Sequence, residues 1–378
     1  MASNRYQVAI IGGGLGGLTL AIQLADKGYA CILFEKNKYP FHRVCGEYIS
    51  MESWRFLEKL GLDLSNQQLP KISQLQVSSP SGKLLKCKLD LGGFGISRYS
   101  LDNQLKELAI KKGVHLLDGC KVQNVQFRNS VVTIQSGAGE HIADMCIGAW
   151  GKLSNMDTAI ERTFNNAFSK KAENYVGIKY HVKLNFPQDQ IALHNFKNGY
   201  CGVSKVEADT YCMCYLTAAK NLKNYNGNIR EMEKQVLMQN PVLKKYFESA
   251  VFLFDEPLAI SQIRIGYKGA IENNILMIGD AAGNIAPLSG NGMSMAMRSS
   301  KQLFILLDEY FTSKITRTEL NAAYEKFWNL QFKKRIQISR LLQRLLKNER
   351  LTDITISILN KIPALKRAVV KSTHGDVF

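Results

Sequence analysis

A glycine-rich turn near the start of the chain has the composition needed to hold a phosphorylated ligand. Residues 12–17 read Gly-Gly-Gly-Leu-Gly-Gly, directly after a β-branched run and directly before a helical pattern. In a strand, turn and helix of this kind, Gly12 permits the sharp turn, Gly14 lets the backbone approach a pyrophosphate, and Gly17 allows close packing of helix on strand. The residues that we assign to this phosphate-binding turn are Gly12, Gly14, Leu15, Gly16 and Gly17.

An acidic residue at the end of the next predicted strand completes a dinucleotide-binding pattern. The apolar run 30–34 follows Gly28, and Glu35 lies 18 residues beyond Gly17. A carboxylate at this place accepts a hydrogen bond from a ribose hydroxyl. We assign Glu35 and its neighbour Lys36 to cofactor binding. The pattern alone does not distinguish NAD from FAD, because both contain the same adenosine diphosphate half.

A second glycine-rich segment lies near residue 280. The apolar run 274–278 leads into Gly-Asp-Ala-Ala, followed by Pro-Leu-Ser-Gly-Asn-Gly-Met at 287–293 and a helical pattern to about residue 307. Together with the first motif, this segment resembles the FAD-dependent oxidoreductases of the para-hydroxybenzoate hydroxylase superfamily. The resemblance implies that Asp280 binds the ribityl chain of FAD and that a helix N-terminus faces the flavin pyrimidine. The implied cofactor residues are Gly279, Asp280, Pro287, Gly290, Gly292 and Met293.

Two further segments fit the same family. Residues 96–105 look like its Arg-x-x-Leu-Asp-x-x-Leu segment, which makes Arg98 a flavin contact, with a structural salt bridge to Asp102 as the alternative. Residues 39–50 resemble the loop of the geranylgeranyl reductase and flavin-dependent halogenase branch. This likeness implies that Arg43 contacts FAD and that Cys45 lies near the isoalloxazine. Cys45 is therefore a candidate catalytic residue, either as proton donor or as redox partner, with inert packing as the alternative.

The chain departs from the family at two places. Trp150 stands where the hydroxylases have an aspartate that is associated with both flavin and NADPH binding. Since no second Gly-x-Gly-x-x-Gly is present, NAD(P)H and a separate electron-donor protein are both open as sources of electrons. The halogenases and the reductases each carry an aromatic segment in the substrate domain. This chain keeps only one of those aromatic residues, Tyr200. Tyr200 is our second candidate catalytic residue, and the other candidate proton donors are Tyr180, His181 and His194.

The spread of the motifs predicts a mixed α/β fold with a discontinuous, Rossmann-like FAD-binding domain. We assign residues 1–70, 96–165 and 269–310 to that domain, and residues 71–95 and 166–268 to an interleaved antiparallel-sheet substrate domain. Alternating apolar residues at 176–182 and 211–215 predict a sheet with one packed face and one face over the flavin. The eight cysteines show no zinc-ligand spacing, so we predict no metal site.

Residues 311–378 are predicted to form a basic helical C-terminal region. The chain of 378 residues carries a net charge of +17, and residues 330–371 hold eleven Lys or Arg against Glu349 and Asp353. Apolar residues at helical spacing favour packed helices there, with contact to an anionic membrane surface as the alternative. No aromatic residue lies between 333 and 371, which disfavours nucleic acid as partner. Without an apolar run of 18 residues, the expected location is cytoplasmic, either free or peripheral to the inner membrane surface.

The resemblance implies an FAD-dependent oxidoreductase. Reduced FAD can activate oxygen to hydroxylate a substrate, or pass a hydride to an activated double bond. Our first interpretation is a monooxygenase that takes electrons from NAD(P)H and acts on a small apolar or aromatic substrate. The alternatives are a reductase of lipid or isoprenoid double bonds, then a flavin-dependent halogenase. A flavin-binding redox sensor without turnover is the alternative from another class.

Overall fold

The computed structural model describes residues 5–128, 131–152, 154–164, 174–345, 348–373 and 375–378. The strands are β1 (Arg5–Ile11), β2 (Cys31–Glu35), β3 (Tyr48–Ser50), β4 (Lys71–Ser78), β5 (Leu84–Gly95), β6 (His115–Asp118), β7 (Val122–Arg128), β8 (Val131–Ser136), β9 (Gly139–Gly148), β10 (Tyr175–Lys183), β11 (Gln190–Phe196), β12 (Gly199–Lys205), β13 (Tyr211–Ala218), β14 (Val251–Phe252), β15 (Leu258–Ile263), β16 (Gly266–Tyr267), β17 (Ile271–Glu272), β18 (Ile275–Met277) and β19 (Gly283–Asn284). The helices are α1 (Leu15–Asp26), α2 (Trp54–Leu60), α3 (Arg98–Lys111), α4 (Asn155–Ala159), α5 (Ala219–Lys223), α6 (Ile229–Val236), α7 (Pro241–Ser249), α8 (Gly292–Phe311), α9 (Arg317–Trp328), α10 (Lys334–Leu345), α11 (Glu349–Lys361) and α12 (Pro363–Thr373).

The first sheet is built on parallel strands in the order β18, β9, β1, β2, β6. Ile10 of β1 lies opposite Ile147 and Leu33, and all three are fully buried. Successive side chains of a strand point to opposite faces, so the unbroken burial of residues 8–11 means that both faces are covered. β17 and the β7–β8 hairpin extend this sheet with antiparallel pairs, and α1 packs against α3 and α8.

The second sheet is mostly antiparallel, in the order β14, β10, β13, β12, β11, β4, β5, β3, with β15 also paired to β10. On one face, Val176, Ile178 and Tyr180 pack with Met213 and Tyr215 of the adjacent strand, as the alternation predicts. We call the opposite side the front face. The side chains that β10, β12 and β13 place on the front face include Tyr175, Lys179, His181, Tyr200, Ser204, Cys212, Cys214 and Leu216.

The front face lies against the loop of residues 45–47. Ser204 donates a hydrogen bond to the Gly46 carbonyl (3.0 Å), and Cys212 donates to the Cys45 carbonyl (3.2 Å). The predicted mixed α/β fold with a helical C-terminus is thus confirmed. The domain boundaries stay a prediction, and β3, within predicted segment 1–70, pairs with β5 of the second sheet.

The C-terminal helices pack on both parts of the molecule. A π-helical turn, Asn329–Lys333, joins α9 to α10, and Ser339 of α10 accepts a hydrogen bond from the Ala286 amide (3.2 Å). Asn360 of α11 donates to the Leu84 carbonyl of β5 (2.8 Å). The side of α11 that packs on the domain carries Thr352 and Ile356. The apolar residues at helical spacing, which we expected to pack on the domain, are exposed. None of the described helices is both long and apolar enough to cross a membrane.

Candidate functional site

The first glycine-rich turn places backbone amides where a phosphate group needs them. Gly12 has a φ of +114°, and a side chain there would collide with the backbone of Ala149. Gly14 precedes α1 in an extended conformation without a side-chain cap, so the first amides of α1 open toward the turn. Within 4 Å, a Cβ added to Gly14 would meet only the Arg98 guanidinium, at 3.9 Å. The space before the helix therefore fits a pyrophosphate.

Glu35 ends β2, and its carboxylate faces the same turn. Oε2 accepts hydrogen bonds from the Gly13 amide and from Arg43, both at 3.0 Å. Oε1 accepts from the backbone amide and side chain of Asn37 (3.0 and 3.2 Å). A ribose hydroxyl that binds Glu35 would therefore replace Arg43 or the Asn37 side chain. Lys36, its neighbour in the predicted cofactor site, is exposed at the strand end.

Asp102 holds two arginine side chains beside the turn. Arg98 forms a bidentate pair with Asp102 (2.7 and 2.8 Å), and Arg43 Nε reaches the same carboxylate at 2.9 Å. The salt bridge expected as the alternative role of Arg98 is therefore present, and it fixes the guanidinium opposite Gly14. Contact of Arg98 and Arg43 with a flavin stays a prediction.

The second glycine-rich segment brings a second helix N-terminus to the site. Gly279 (φ +59°) and Gly290 (φ +65°) turn the chain from β18 into α8, and Asp280 and Pro287 lie in two short 3₁₀ turns between them. α8 begins at Gly292 without a hydrogen bond from the side chain of its N-cap residue. The first backbone amides of α8 are therefore not capped by that side chain, and their contact with a flavin pyrimidine stays a prediction.

The two glycine-rich segments and the loop with Cys45 meet at the start of α8. A Cβ added to Gly16 of the first segment would lie 3.2 Å from Ile278 of the second. Met293, in the first turn of α8, has its Sδ 3.6 Å from Sγ of Cys45. The structure therefore brings Cys45 to the second motif, as the resemblance implies, while its chemical role stays a prediction.

Tyr200 lies on the front face near the same segment. It is 7% exposed and packs with Tyr175, Leu216 and Leu288, the last of which follows Pro287. A cavity of about 10 Å³ is lined by these side chains and by Asn195, Asn198, Gly199 and Gln343. Burial raises the pKa of Tyr200 well above its ordinary value, so its hydroxyl keeps its proton at neutral pH.

The other candidate proton donors divide between the two faces of the second sheet. Tyr180 donates to Glu233 (2.9 Å) within the packed face, and His194 is hydrogen-bonded to Ser78 (2.8 Å). Burial lowers the pKa of His194 to about 4, so the ring is neutral. The structure places neither residue on the front face; among these three, only His181 lies there.

Four residues form a buried ionic cluster that we call the roof cluster: Glu47, Lys179, His181 and Cys212. Glu47 accepts hydrogen bonds from Lys179 Nζ (2.5 Å) and from the Arg98 backbone amide (2.7 Å), and its other oxygen lies 2.6 Å from His181 Nε2. The side chains of Glu47 and Lys179 are completely buried. Glu47 has a φ of +54°, which costs an L-residue about 1–2 kcal/mol, and these bonds hold it there.

The roof cluster keeps its central pair charged. Burial alone raises the pKa of Glu47, but the His181 hydrogen bond and the Lys179 charge outweigh it and lower the pKa. Burial alone lowers the pKa of Lys179, but Cys212 and Glu47 outweigh it and raise the pKa. A carboxylate, an imidazole and a thiol here come within 4.8 Å of one another, as metal ligands do, although we predicted no metal site. The Lys179 ammonium on Glu47 disfavours a further cation there.

A second buried ionic cluster, which we call the anchor cluster, holds the Gly279–Ala281 turn. It consists of Asp157, Arg162, Lys268 and Glu272. Arg162 pairs with Asp157 (3.0 Å) and Glu272 (2.8 Å) and donates to the Ala281 carbonyl (2.7 Å). Its remaining bonds reach the carbonyls of Lys268 and Gly269. The cluster thus connects α4 to the second flavin motif.

Trp150 is tied into the anchor cluster. Its Nε1 donates a hydrogen bond to Asp157 at 2.8 Å. A carboxylate therefore lies beside Trp150, although it comes from a residue seven positions later and not from the family's aspartate position. Burial lowers the pKa of the neighbouring Lys268, against the opposing effect of Asp157 and Asp280.

The sequence did not single out Glu47, Lys179 or Arg162. Each has a partner more than a hundred residues away along the chain, which local motifs do not show. One signal was available at Lys179: a lysine between apolar residues of a predicted strand.

Comparisons with known proteins agree with this geometry. Residues 5–186 match the model of the FAD binding domain family. The chain is 24% identical to conditioned medium factor receptor 1 of Dictyostelium discoideum, over 86% of this chain and 68% of that protein. It is 22% identical to kynurenine 3-monooxygenase of Flavobacterium psychrophilum, over 80% of this chain and 73% of that protein.

Two solved structures share the fold over nearly the whole chain. The flavin-dependent brominase Bmp2 has a TM-score of 0.76 at 18% identity, covering 98% of this chain and 93% of its own. A geranylgeranyl bacteriochlorophyll reductase-like protein of Thermoplasma acidophilum has a TM-score of 0.76 at 18% identity, covering 97% and 95%. These findings confirm the resemblance: the chain carries an FAD-binding domain of the para-hydroxybenzoate hydroxylase superfamily. It is an FAD-dependent oxidoreductase by family.

The residues present fit FAD. The turn at Gly12–Gly14 offers amides to a pyrophosphate, Glu35 lies beside it for a ribose, and α8 opens a second uncapped N-terminus. A nicotinamide dinucleotide would need the turn and Glu35 but not the N-terminus of α8. The two N-termini together therefore favour a dinucleotide that reaches from one glycine-rich segment to the other.

Proposed function

We propose that this protein is a monooxygenase that hydroxylates a small apolar or aromatic substrate. The observation that carries the proposal is the apolar lining beside the second flavin motif, where Tyr175, Tyr200 and Leu216 pack on Leu288. Such a lining excludes water, which protects activated oxygen from side reactions and desolvates an apolar substrate. The cavity of about 10 Å³ holds roughly one water. In this proposal, a substrate that enters beside Tyr200 displaces neighbouring side chains.

In this proposal the bound flavin supplies the redox chemistry, and the protein supplies orientation and proton control. The turn at Gly14 binds the pyrophosphate, and the N-terminus of α8 stabilises negative charge on the flavin pyrimidine. Tyr200 holds a proton next to the substrate space. The roof cluster holds a fixed carboxylate, Glu47, in the same loop as Cys45, and the Glu47 amide donates a hydrogen bond to the Cys45 sulfur.

We propose NAD(P)H as the electron donor, with a separate donor protein as the alternative. Asp157 supports NAD(P)H as the donor. It places a carboxylate beside Trp150, the residue that stands where the hydroxylases have their aspartate. The kynurenine 3-monooxygenase of F. psychrophilum, whose name states oxygen chemistry, supports the monooxygenase assignment by similarity.

The test is reduction of the FAD-loaded protein by NADPH and by NADH without oxygen, followed by turnover under ¹⁸O₂ with a panel of apolar aromatic compounds. We expect nicotinamide to bleach the flavin and ¹⁸O to enter one product. A reduced substrate formed without oxygen would assign a double-bond reductase, and a product that requires bromide would assign a halogenase. If neither NADPH nor NADH reduces the flavin, the electron donor is a separate protein.

A double-bond reductase is the second candidate, and the position of Cys45 favours it. Its thiol lies at the start of α8, 3.6 Å from Met293, where it can give a proton to a reduced double bond. Cys45→Ser separates the candidates. In the reductase this variant loses turnover at least tenfold while flavin reduction is unchanged, whereas in the monooxygenase both rates stay near wild type. Cys87→Ser, at a half-buried thiol on β5, is the matched control.

A further inference from the structure

The C-terminal helices expose an apolar surface that the proposed chemistry does not use. Sixteen large apolar side chains are exposed in the described part of the chain, and seven of them lie between residues 341 and 365. They are Leu341, Leu345, Leu351, Ile354, Ile358, Ile362 and Leu365. We propose that this surface, formed by α10, α11 and α12, binds an anionic lipid bilayer.

The arrangement is clearest on α11. Leu351, Ile354 and Ile358 follow one another at spacings of three and four residues, so they lie on one side of the helix. They are 44%, 54% and 44% exposed, whereas Thr352 and Ile356 on the other side are buried. A helix that only packs on a domain has its apolar row inward. α11 has the reverse arrangement, so its apolar row is available to another apolar medium.

Basic side chains surround this apolar surface. Arg340, Arg344, Arg350, Lys361 and Arg367 are all exposed. Arg350 and Lys361 lie in the same row of α11 as Ile354, at offsets of four and seven residues. Helices with this combination lie in the interface of anionic membranes, where each basic residue adds electrostatic attraction. A second copy of this chain would bring the same positive charge to the surface, so charge favours lipid over self-association.

α10 connects this surface to the cavity beside Tyr200. Gln343 lines the cavity, while Leu341 and Leu345, two positions before and after it, are 57% and 37% exposed. Residues two apart on a helix point to nearly opposite sides. α10 therefore has one side toward lipid and one toward the cavity. This placement would let a lipid-soluble substrate pass from the bilayer to the cavity. This last point rests on the proposed function, whereas binding to the bilayer does not.

The experiment is flotation of the FAD-loaded full chain with phosphatidylcholine vesicles, with and without phosphatidylglycerol. We expect partitioning roughly tenfold stronger with the anionic lipid, decreasing as salt is raised. Because the readout is binding without turnover, a failure of the proposed monooxygenase activity leaves it unchanged. Equal binding to both vesicle types, or no binding to either, would overturn the proposal.

Paired variants locate the surface. The double variants Arg340→Gln/Arg344→Gln and Ile354→Ser/Ile358→Ser should each weaken anionic partitioning roughly tenfold. The matched controls Lys223→Gln/Lys245→Gln and Val251→Ser change exposed residues elsewhere and should stay within about twofold of wild type. All are exposed positions, so flavin absorbance and thermal unfolding report retained folding.

Other occupants give distinct results. If sedimentation velocity shows a dimer that Ile354→Ser/Ile358→Ser converts to monomer while vesicle binding is absent, the surface joins two copies and the proposal is wrong. Binding to duplex DNA in place of vesicles, lost in Arg340→Gln/Arg344→Gln, would also overturn it.

Discussion

The anchor cluster and the roof cluster are both buried and ionic, but they hold their charges in different ways. Arg162 of the anchor cluster uses all five N–H groups, two on carboxylates and three on backbone carbonyls. A guanidinium does not lose its proton in proteins, so this charge is permanent. The charges of the roof cluster depend instead on each other, because burial alone lowers the pKa of Lys179 and raises that of Glu47, and each group keeps the other ionised.

The two clusters also lie in different parts of the molecule. The anchor cluster lies behind the Gly279–Ala281 turn and fixes backbone that the cofactor needs. The roof cluster joins the loop of Cys45 to the front face, on the side where substrate is proposed to bind. The comparison teaches that a single permanent charge fixes the turn, whereas two mutually dependent charges join the Cys45 loop to the front face.

The largest effect is expected from Arg162→Met. The variant removes five hydrogen bonds and the charge that balances Asp157 and Glu272, so the free energy of unfolding should fall by about 3–5 kcal/mol, with loss of bound FAD. Urea denaturation and flavin absorbance measure both. Arg5→Met, at a surface pair with Asp144, is the control and should cost less than about 1 kcal/mol. A variant of Arg162 with wild-type stability would remove the distinction between the clusters.

The roof cluster should show strong coupling between its central residues. Lys179→Met leaves a buried carboxylate and Glu47→Gln leaves a buried ammonium, each at a cost of about 3 kcal/mol. The double variant removes both charges, so its loss should be smaller than the sum by more than about 1 kcal/mol. A double-mutant cycle in urea measures this coupling. Additive losses would mean that the two charges do not stabilise each other.

Acid should weaken the roof cluster in a predictable direction. The pKa of Glu47 is lowered in the folded state, so its stabilisation is present above the unfolded value of about 4.3 and is lost as pH falls through the folded value. In the wild type, the free energy of unfolding should therefore rise with pH by up to about 1.4 kcal/mol per unit below about pH 4.3, and Glu47→Gln should lose this rise. Glu233, whose pKa burial raises, has the opposite sign, and Glu233→Gln should steepen the curve.

The smallest effect is expected from Trp150→Phe. The variant keeps the ring and removes one hydrogen bond to Asp157, at a cost of about 1 kcal/mol, with FAD retained. A fall in the rate of reduction by NADPH without a change in flavin content would connect Trp150 to the donor. If both are unchanged, the anchor cluster is purely structural.

Parts of this molecule that depend on local chemistry were predictable from the sequence. The turn at Gly12 and the turns at Gly279 and Gly290 need backbone conformations that favour glycine, so their spacing shows in the chain. Strand alternation likewise identified the packed face of β10 and β13. Both signals come from neighbours within a few residues.

The ionic clusters, and the side on which the C-terminal helices pack, were not predictable in this way. Glu47 and Lys179 are 132 positions apart, and only the placement of the front face on the Cys45 loop brings them together. On α11 the apolar spacing is real, but spacing does not say which side meets the domain. The contact of Asn360 with β5 decides that orientation.

Glu47 also makes the two sheets dependent on each other. One carboxylate holds the first amide of α3, from the cofactor side, and Lys179 and His181 of β10. Opening of either side exposes the charge left on the other, so partial unfolding is costly. We therefore expect a single cooperative melting transition, and FAD held at the glycine-rich turns of the first sheet should slow hydrogen exchange along the whole of β10. The cofactor would then stabilise the second sheet together with the first.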